Sequence, residues 1–309
     1  MNAGKPLRLS PSAAGSYMDC GRKYHFQYVE RLEADVTDAN LVFGSAVDVT
    51  IEEIIRGQLA GTSIDAAAFF DQAWQKETRS RVIRYSQRWD EDSMRAMGRS
   101  LCQQFLAAWL AAGLMPAIDA NGEPLIQREF KLDLGDGVLY VLKPDVIALT
   151  RQMRIRVVDF KSAAQPAFEG FAELAPQLLD YQIAVDTHAA TLGLDGVDEL
   201  QFFELVKRPI PKSNRGEGPV IHAGEVVARR SDQRVAERLN ELQGIALNIR
   251  RGFFPRNPRW AFNSPCSLCT YRARCLDPTS MDGLRVRPPR NYSAAVAPQL
   301  PLDASPAAA

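Results

Sequence analysis

The sequence predicts a mixed α/β fold, and three observations along the chain predict it. Apolar residues recur at helical spacing through most of the region before residue 114. From residue 125 to 161 the pattern changes to strands that are separated by tight turns. A helical segment, 172–192, then precedes another strand-like run, 199–207. Strands between helical segments predict a mixed sheet that is flanked by helices.

The N-terminal part of the chain is predicted to be helical. Ser10 and the proline after it combine a capping side chain with the residue preferred at the first helical position. The helix that they begin is expected to continue through Cys20 and Tyr24 towards Tyr28. A second helix is predicted after Gly44. Residues 62–114 are predicted to be helical throughout and to form a helical insertion with about these bounds.

The central strands are predicted to form hairpins. The first two strands, 125–134 and 138–149, flank a Gly-Asp-Gly turn, and a further turn at 150–154 leads into a third strand, 155–161. Beyond residue 208 the chain is predicted to form a loop, 209–224, and a last helix, 231–250.

Domain organisation and location are predicted from composition. We expect one domain over residues 1–283, followed by a disordered tail, 284–309, that is rich in Pro and Ala. The longest apolar run, 105–118, is too short to span a bilayer. We therefore expect no membrane partner and a cytoplasmic location.

Charge is balanced overall but unevenly distributed. The chain has 37 basic and 37 acidic residues, so its net charge does not indicate nucleic-acid binding. Residues 242–276, however, contain several arginines and no Asp or Glu. This basic segment fits a solvated surface and a phosphate-facing patch equally well. No phosphate-binding GxxxxGK[ST] loop is present, which argues against a built-in helicase motor.

Two aspartates and a lysine form a candidate metal site. If the turn at 150–154 is centred near Gln152, Asp145 and Asp159 face each other across two antiparallel strands. Their β-carbons would lie roughly 5 Å apart, where like charges destabilise the pair unless a cation is bound. Lys161 lies two residues beyond Asp159 and therefore points to the same face, which Lys143 joins.

An alternative is that these charges only occupy a solvated face. The apolar strand around Asp159, and Pro144 in the opposing strand, favour a functional site without deciding the question.

Four cysteines are spaced to hold one inorganic centre. Cys20 lies near the start of the chain, and Cys266, Cys269 and Cys275 form a Cys-x2-Cys-x5-Cys group near its end. Four thiolates suit zinc or an iron–sulfur cluster, and the spacing alone does not choose between them. His25 is an alternative ligand, although a packed histidine is the simpler interpretation. Cys102 lies in an apolar helical run and is interpreted as a core residue.

Taken together, these motifs resemble a known family. LKPDVIAL followed by RVVDFKS resembles the PD-(D/E)xK nuclease signature. The segment from Leu9 through CGRKYHFQYVERL, with the order of the cysteines, resembles RecB-like and AddB-type nuclease domains and CRISPR-adaptation exonucleases. Gln177 and Tyr181 match the Gln-x3-Tyr helix motif of that family.

The resemblance implies a fold, a reaction and two cofactors. The fold would be a restriction-endonuclease-like core with a helical insertion and a C-terminal segment, about 252–276, that together with Cys20 holds a [4Fe–4S] cluster. The reaction would be Mg²⁺- or Mn²⁺-dependent hydrolysis of DNA, by an exonuclease on single strands or DNA ends. It would serve repair, recombination or phage DNA processing, with a separate helicase or recombinase as partner.

The resemblance also implies roles for individual residues. Asp145 and Asp159, with the carbonyl of Phe160 and Asp48, would bind the divalent ion. Lys161 would be catalytic. Gln177 and Tyr181 would support the site or touch the DNA backbone, with ordinary helix packing as an equal alternative for Tyr181.

Two positions depart from the family pattern and keep other functions open. Asp48 stands where a histidine is usual, and Lys143 stands where glycine is common. Asp48 keeps open a catalytically weakened iron–sulfur protein that binds DNA or assembles complexes. A zinc-stabilised interaction domain is a third alternative, which ignores the acidic pair.

Overall fold

The protein is described by a computed structural model over residues 6–213, 216–259 and 264–288. In these ranges the helices are α1 (Pro11–Asp19), α2 (Gly21–Tyr24), α3 (Ala39–Ala60), α4 (Ala66–Thr78), α5 (Glu91–Ala111), α6 (Phe171–Leu174), α7 (Pro176–Leu192), α8 (Asp232–Arg250) and α9 (Arg272–Leu276). The strands are β1 (Leu7–Leu9), β2 (Leu32–Ala34), β3 (Val36–Asp38), β4 (Val82–Arg84), β5 (Leu114–Pro116), β6 (Phe130–Asp133), β7 (Val138–Leu142), β8 (Val146–Thr150), β9 (Ile155–Ala163), β10 (Glu199–Val206), β11 (Val220–Ala228) and β12 (Leu284–Val286).

The chain divides into two compact units, and each is discontinuous in sequence. The first unit comprises Met1–Asp35, Phe130–Leu142 and Ser231–Ala309. The second comprises Val36–Glu129 and Lys143–Arg230. Because the chain passes between the units several times, this division does not test the expectation of one domain, which stays a prediction.

The second unit is built on a five-stranded mixed sheet. The strand order is β11-β10-β9-β8-β5, in which β9 and β10 run parallel and the other neighbours run antiparallel. The parallel pair is connected by α6 and α7, as a parallel connection requires a crossover. This arrangement confirms the predicted mixed α/β fold.

Helices cover both faces of this sheet. Val158 and Phe160 of β9 point into a core with residues of α3, α4 and α5, where the Phe160 ring lies 5.3 Å from that of Phe105. Asp159, between them, points to the opposite face and contacts Tyr181 of α7. Alternation along one strand therefore separates the apolar core from the polar residues.

The predicted register of the β8–β9 hairpin is confirmed. Val146 pairs with Val158, Ile147 with Val157, and Leu149 with Ile155. The two residues of each pair are equally distant in sequence from Gln152, as in a hairpin centred there. The next pair outward is therefore Asp145 and Asp159. A one-residue slip would have turned every side chain of the strand to the other face.

The first unit combines a three-stranded sheet with helices from both ends of the chain. The sheet has the order β1-β7-β6, with β1 parallel to β7. The predicted Gly-Asp-Gly turn joins β6 to β7, and all three of its residues have positive φ. The Tyr17 hydroxyl of α1 donates to the carbonyl of Phe253, 2.8 Å away. A separate small core, Phe26, Leu32, Tyr271 and Leu284, lies beside β2 and β12.

Several predicted elements differ in the structure. The expected strand 125–134 is shorter, since β6 covers only Phe130–Asp133. The expected strand 138–149 is two strands, β7 and β8, because the chain leaves one sheet at Pro144, which has no N–H to donate. The predicted loop 209–224 ends early, since β11 begins at Val220. The insertion 62–114 is not helical throughout, because β4 lies within it and pairs with β3. The helix expected after Gly44 begins at Ala39, where Asp38 is the N-cap.

Two further boundaries also differ. The first helix ends at Asp19, since Cys20 is extended (φ −165°), and the helical path resumes with α2 and a π-helical turn, His25–Val29. The tail predicted to be disordered from residue 284 begins instead with strand β12, which pairs with β2. The rest of that tail, from residue 289 on, lies outside the described residues. None of the helices that the structure describes is long and apolar enough to cross a membrane.

One packing prediction follows from Gly98 in α5. A β-carbon at this position would lie 2.1 Å from the ring of Phe70, which is fully buried against Phe43 and Trp74. Alanine gains about 1 kcal/mol in helix propensity, but overpacking costs about 1–3 kcal/mol. We expect Gly98→Ala to lower the free energy of unfolding by up to about 2 kcal/mol in urea titrations.

The matched control is Gly44→Ala in α3. No atom lies within 4 Å of a β-carbon built there, so the substitution should stabilise the protein by about 0.5–1 kcal/mol. Equal effects of the two substitutions would contradict the packing argument.

Candidate active site

The acidic pair lies at the open end of the β8–β9 hairpin. Asp145 precedes β8 and is partly buried, whereas Asp159 within β9 is only 2% exposed. One carboxylate oxygen of Asp145, Oδ2, accepts the backbone N–H of Phe160 at 2.7 Å. This contact fixes the Asp145 carboxylate beside the strand that carries Asp159.

Asp159 is the centre of the polar contacts. Lys161 Nζ lies 2.5 Å from Asp159 Oδ2, and the Tyr181 hydroxyl donates to Asp159 Oδ1 at 3.1 Å. The Gln177 amide approaches the same oxygen at 3.3 Å and donates to the Tyr181 hydroxyl at 2.7 Å. The structure thus brings together the predicted catalytic residues Asp145, Asp159, Lys161, Gln177 and Tyr181.

Helix α7 places Gln177 and Tyr181 because of how it starts. Pro176 occupies the first turn of α7, where a backbone N–H would have no partner within the helix. Its fixed φ favours the start of the helix at this residue. Residues four apart in a helix lie on one face, so both polar side chains reach Asp159. Tyr181 is 4% exposed, and its hydroxyl accepts from the Gln177 amide and donates to Asp159. These contacts add to its packing, and its role stays a prediction.

The two aspartates have raised pKa values. Burial, which disfavours the charged form, is the largest cause of the raised pKa of Asp145, and the nearby Asp159 carboxylate adds to it. Burial also raises the pKa of Asp159, although the Lys161 ammonium and the Tyr181 hydroxyl oppose it. A metal-free site therefore holds negative charge at a cost, which a bound cation would remove.

Asp48 of α3 joins the same electrostatic group. Its pKa is raised to about 6, first by burial and then by the Asp159 carboxylate, while Lys161 lowers it. Water still reaches the exposed side chain, although protein surrounds it on other sides. A carboxyl with this pKa is ionised at neutral pH and can bind a cation there.

The donor set fits a hard divalent cation. Asp145, Asp159 and Asp48 offer carboxylate oxygens, which such ions prefer. The backbone N–H of Phe160 donates to the Asp145 carboxylate, and the carbonyl of Phe160 is the predicted fourth ligand of the cation. This fit is one of donor chemistry alone, because within the described parts of the chain no group of three or more His, Cys, Asp or Glu side chains is arranged to hold a metal ion.

Gln127 is a site residue that the sequence did not reveal. Its side-chain amide donates to Asp145 Oδ1 at 2.7 Å, and its backbone N–H donates to the Asp145 carbonyl at 2.8 Å. The residue has a positive φ of 52°, a conformation uncommon for a side chain other than glycine. Glutamine has no special preference for that conformation, so no local signal marked it. Lys143, expected on the acidic face, is exposed, and the cation that acts on Asp145 is Lys161.

The four cysteines of the first unit are free, half-buried thiols. Cys20 lies between α1 and α2, Cys266 and Cys269 lie at a 3-10 turn, and Cys275 lies in α9. Cys269 and Cys275 both pack against the core around Tyr271.

Electrostatics indicate that three of these thiols are neighbours. Burial raises the pKa of Cys269, a backbone N–H of Tyr271 and the Lys23 ammonium lower it, and Cys266 and Cys20 raise it again. Backbone donors to sulfur are typical of protein-bound iron–sulfur clusters. The thiol set fits such a centre in its chemistry, although the described residues show no coordination geometry. His25 Nδ1 lies 3.1 Å from a carboxylate oxygen of Glu30, and its role as an alternative ligand stays a prediction.

The basic segment 242–276 is partly neutralised within the protein. Arg274 pairs with Glu30 at 2.8 Å, and the Arg256 guanidinium donates to the carbonyl of Cys275 at 3.0 Å. Arg272 and Arg251, by contrast, are exposed. A phosphate-facing patch would therefore use only part of the segment.

Comparisons with known proteins place the chain in one family. A family model described as the PD-(D/E)XK nuclease superfamily matches residues 8–276. Among solved structures, the chain is similar to a "Putative exonuclease" from Eubacterium rectale (13% identity, TM-score 0.49, covering 86% of this chain and 87% of that one). It is also similar to SSO0001 (10% identity, TM-score 0.33, covering 84% and 94%). Neither likeness is close enough to carry a functional argument. No curated protein matches the sequence.

The raised pKa of Asp48 gives a prediction about stability and pH. From pH about 4 to 6, the metal-free folded protein binds more protons at Asp48 than the unfolded chain, so stability falls as pH rises through that window. We expect Asp48→Asn to remove this loss. After discounting for solvent screening at an exposed side chain, the variant should be about 1 kcal/mol more stable above pH 6.

Urea midpoints in chelator at pH 4 and pH 7.5 measure the effect. Glu53→Gln, which also removes one acid from α3, is the matched control. A difference between wild type and Asp48→Asn that does not change with pH would contradict the raised pKa.

Proposed function

Because the chain belongs to the PD-(D/E)XK nuclease superfamily, we propose that it is a metal-dependent deoxyribonuclease that hydrolyses phosphodiester bonds. The observation that carries the proposal is the contact between Lys161 and the buried Asp159, 2.5 Å apart, beside a second, partly buried aspartate, Asp145. Three carboxyl groups with raised pKa values lie around one lysine. The carboxylates would bind the positive metal ion, and the lysine would bind the negative phosphate of the substrate.

The metal would be Mg²⁺ or Mn²⁺. Asp145, Asp159, Asp48 and the carbonyl of Phe160 would hold it. When bound, the ion supplies Lewis-acid activation of the scissile phosphate and acidifies a water molecule.

The remaining residues act by position and charge. The Lys161 ammonium, about 42% exposed in its side chain, would orient the attacking water or stabilise the negative charge that develops on the phosphate. Gln177 and Tyr181 hold the Asp159 carboxylate in one orientation, and Gln127 does the same for Asp145. These contacts pre-organise the acidic pair before substrate arrives.

The substrate class and pathway extend the proposal. We propose exonuclease action on single strands or DNA ends, in repair, recombination or phage DNA processing. A separate helicase or recombinase would supply such strands. This part rests on the resemblance to RecB-like nuclease domains and is more specific than membership of the superfamily.

Asp48 supports one alternative function. An aspartate at the position where the family usually carries histidine is compatible with a catalytically weakened protein that binds DNA or assembles complexes. Because a carboxyl with a pKa of about 6 is charged at neutral pH, Asp48 retains the ability to hold a metal ion. The proposal of an active nuclease therefore ranks first.

A [4Fe–4S] cluster is the second proposed cofactor. Cys20, Cys266, Cys269 and Cys275 would hold it by their thiolates. The proximity of three of these thiols, although they come from opposite ends of the chain, supports this assignment. The centre would stabilise the first unit by fixing the two ends to each other.

The active-site prediction concerns the acidic pair and its lysine. Asp159→Ala and Lys161→Ala should each reduce Mn²⁺-dependent cleavage of single-stranded DNA at least about 1,000-fold, because transition-state charge loses its stabilisation. Cleavage is measured by gel assay on labelled strands, with circular dichroism as a check on folding.

Lys76→Ala provides the control for the lysine variant. Lys76 is an exposed lysine of α4 and should be dispensable. Folded Asp159→Ala protein that cleaves as fast as wild type would reject the site. An inactive wild-type protein that still binds DNA would favour the non-catalytic alternative.

The cysteine prediction concerns iron. Protein purified without oxygen should contain about four iron atoms per chain and absorb visible light. Cys269→Ala should lose this iron and become more sensitive to proteolysis. Cys102→Ala, which removes a core thiol of the other unit, should retain it. Stoichiometric zinc without iron in the wild type would overturn the cluster and support a zinc centre.

A further inference from the structure

A pocket lies on the same face of the sheet as the acidic pair. Its volume is about 340 Å³, at the lower end of the range for ligand pockets, about 300–1,000 Å³. Phe202 and Glu204 of β10 line it. In the parallel register these two residues pair with Asp159 and Lys161 of β9, so all four side chains leave the same face.

Three phenylalanines form an aromatic wall in this pocket. Phe202 is buried, Phe171 is 38% exposed and Phe168 is 66% exposed. The Phe171 ring lies 5.7 Å from that of Phe202, and the Phe168 ring lies 5.5 Å from that of Phe171. A large apolar ring that stays exposed at the mouth of a cavity is a surface on which a flat ligand can stack.

The polar groups of the pocket are mainly hydrogen-bond acceptors. Glu169, Glu204 and Glu225 line it, together with His222. Glu204 is 5% exposed, and its carboxylate accepts the Ala167 N–H at 3.1 Å and lies 3.0 Å from His222 Nδ1. A carboxylate has about four lone-pair sites, so these two contacts leave acceptor capacity for a ligand.

A bulge in β11 keeps the pocket open. The register between β10 and β11 shifts between Gln201 and Phe203, so that Gly224 and Glu225 together face Phe202. A β-carbon at Gly224 would lie 2.9 Å from the Phe202 carbonyl and 3.7 Å from the Glu204 carboxylate. Glycine is thus required at position 224, where the backbone of β11 passes close to the Phe202 carbonyl. Because glycine has no side chain, the pocket stays open there.

The carboxylates also order the loop that carries Phe168. Glu204 accepts the N–H of Ala167, and Glu225 accepts the N–H of Gly170 at 2.9 Å. The exposed ring is therefore held from both sides, which lowers the entropy lost when a ligand stacks on it.

Charge decides which part of a nucleotide would enter. Three carboxylates repel a phosphate, whereas they can accept hydrogen bonds from an amino group. Towards the active site, Lys161 Nζ lies 5.8 Å from the centre of the Phe202 ring. A nucleotide would consequently place its base in the pocket and its phosphate towards Lys161.

We propose that this pocket binds one amino-bearing nucleobase of a single-stranded DNA substrate and thereby positions the adjoining phosphate at the acidic pair. The proposal rests on the proposed nuclease function and specifies its substrate. A paired base is hidden in its stack, so only an unpaired strand can place a base there. Adenine, cytosine and guanine carry exocyclic amino donors, and thymine does not.

Fluorescence anisotropy of labelled single strands tests the pocket. The full-length protein is titrated into short oligodeoxycytidine or oligodeoxythymidine, with Ca²⁺ in place of Mn²⁺ to suppress cleavage. We expect the wild type to bind the cytidine strand about fivefold more tightly. Phe168→Ala should weaken binding of both strands about tenfold, since one stacking surface is lost.

Two further variants separate the contributions. Met153→Ala removes a similarly exposed apolar side chain at the opposite end of β9 and should bind as wild type does. Glu204→Gln keeps an oxygen for the Ala167 N–H but replaces one acceptor by a donor. It should remove the preference for cytidine over thymidine.

The outcomes distinguish this proposal from the nuclease function. Wild-type affinity in Phe168→Ala overturns the pocket, and equal wild-type binding of the two strands overturns the amino-bearing base; in either case Mn²⁺-dependent cleavage by the wild type leaves the nuclease proposal intact. Competition by free dCMP as effective as by the strand assigns the pocket to a mononucleotide and overturns the strand proposal. A wild type that neither binds nor cleaves DNA overturns both.

Discussion

The structure of the site depends on one unfavourable interaction, the approach of two buried carboxylates at the end of a β-hairpin. Asp145 and Asp159 are brought together by the β8–β9 register. Burial raises both pKa values, and the Asp159 carboxylate raises the pKa of Asp145 further. Such an arrangement persists only where the surroundings fix it, and here Lys161, Tyr181 and the Phe160 N–H do so. The carboxylates that make the metal-free site costly are those that would hold the proposed cation.

The apolar core supplies the rigidity that this repulsion requires. Phe160 follows Asp159 in β9 and points to the other face, where its ring meets Phe105, Trp109 and Phe203 edge to face. A strand fixed on one face by these rings cannot slip to separate the carboxylates on the other. Functional chemistry on one side of the sheet is thus stabilised by ordinary packing on the other.

The sheet also places the proposed catalytic residues beside the proposed base pocket. Because β9 and β10 run parallel and in register, Asp159 and Lys161 stand beside Phe202 and Glu204. The acidic pair and the aromatic pocket are therefore neighbours through strand pairing alone. The cysteine centre belongs to the other compact unit, so its proposed contribution is to the stability of that unit rather than to the chemistry.

The sequence by itself determined the features that depend on local pattern. The turn centred near Gln152 determined the facing of Asp145 and Asp159, and the four-residue spacing determined that Gln177 and Tyr181 share a helix face. Tertiary structure alone decided the rest: the break of the expected long strand at Pro144, the recruitment of Gln127 at a positive φ, and the gathering of Phe168, Phe171 and Phe202. The reason is physical. Periodicity and turn chemistry act over a few residues, whereas these three features arise from segments that meet only when the sheet has formed and each chain segment has found its neighbour.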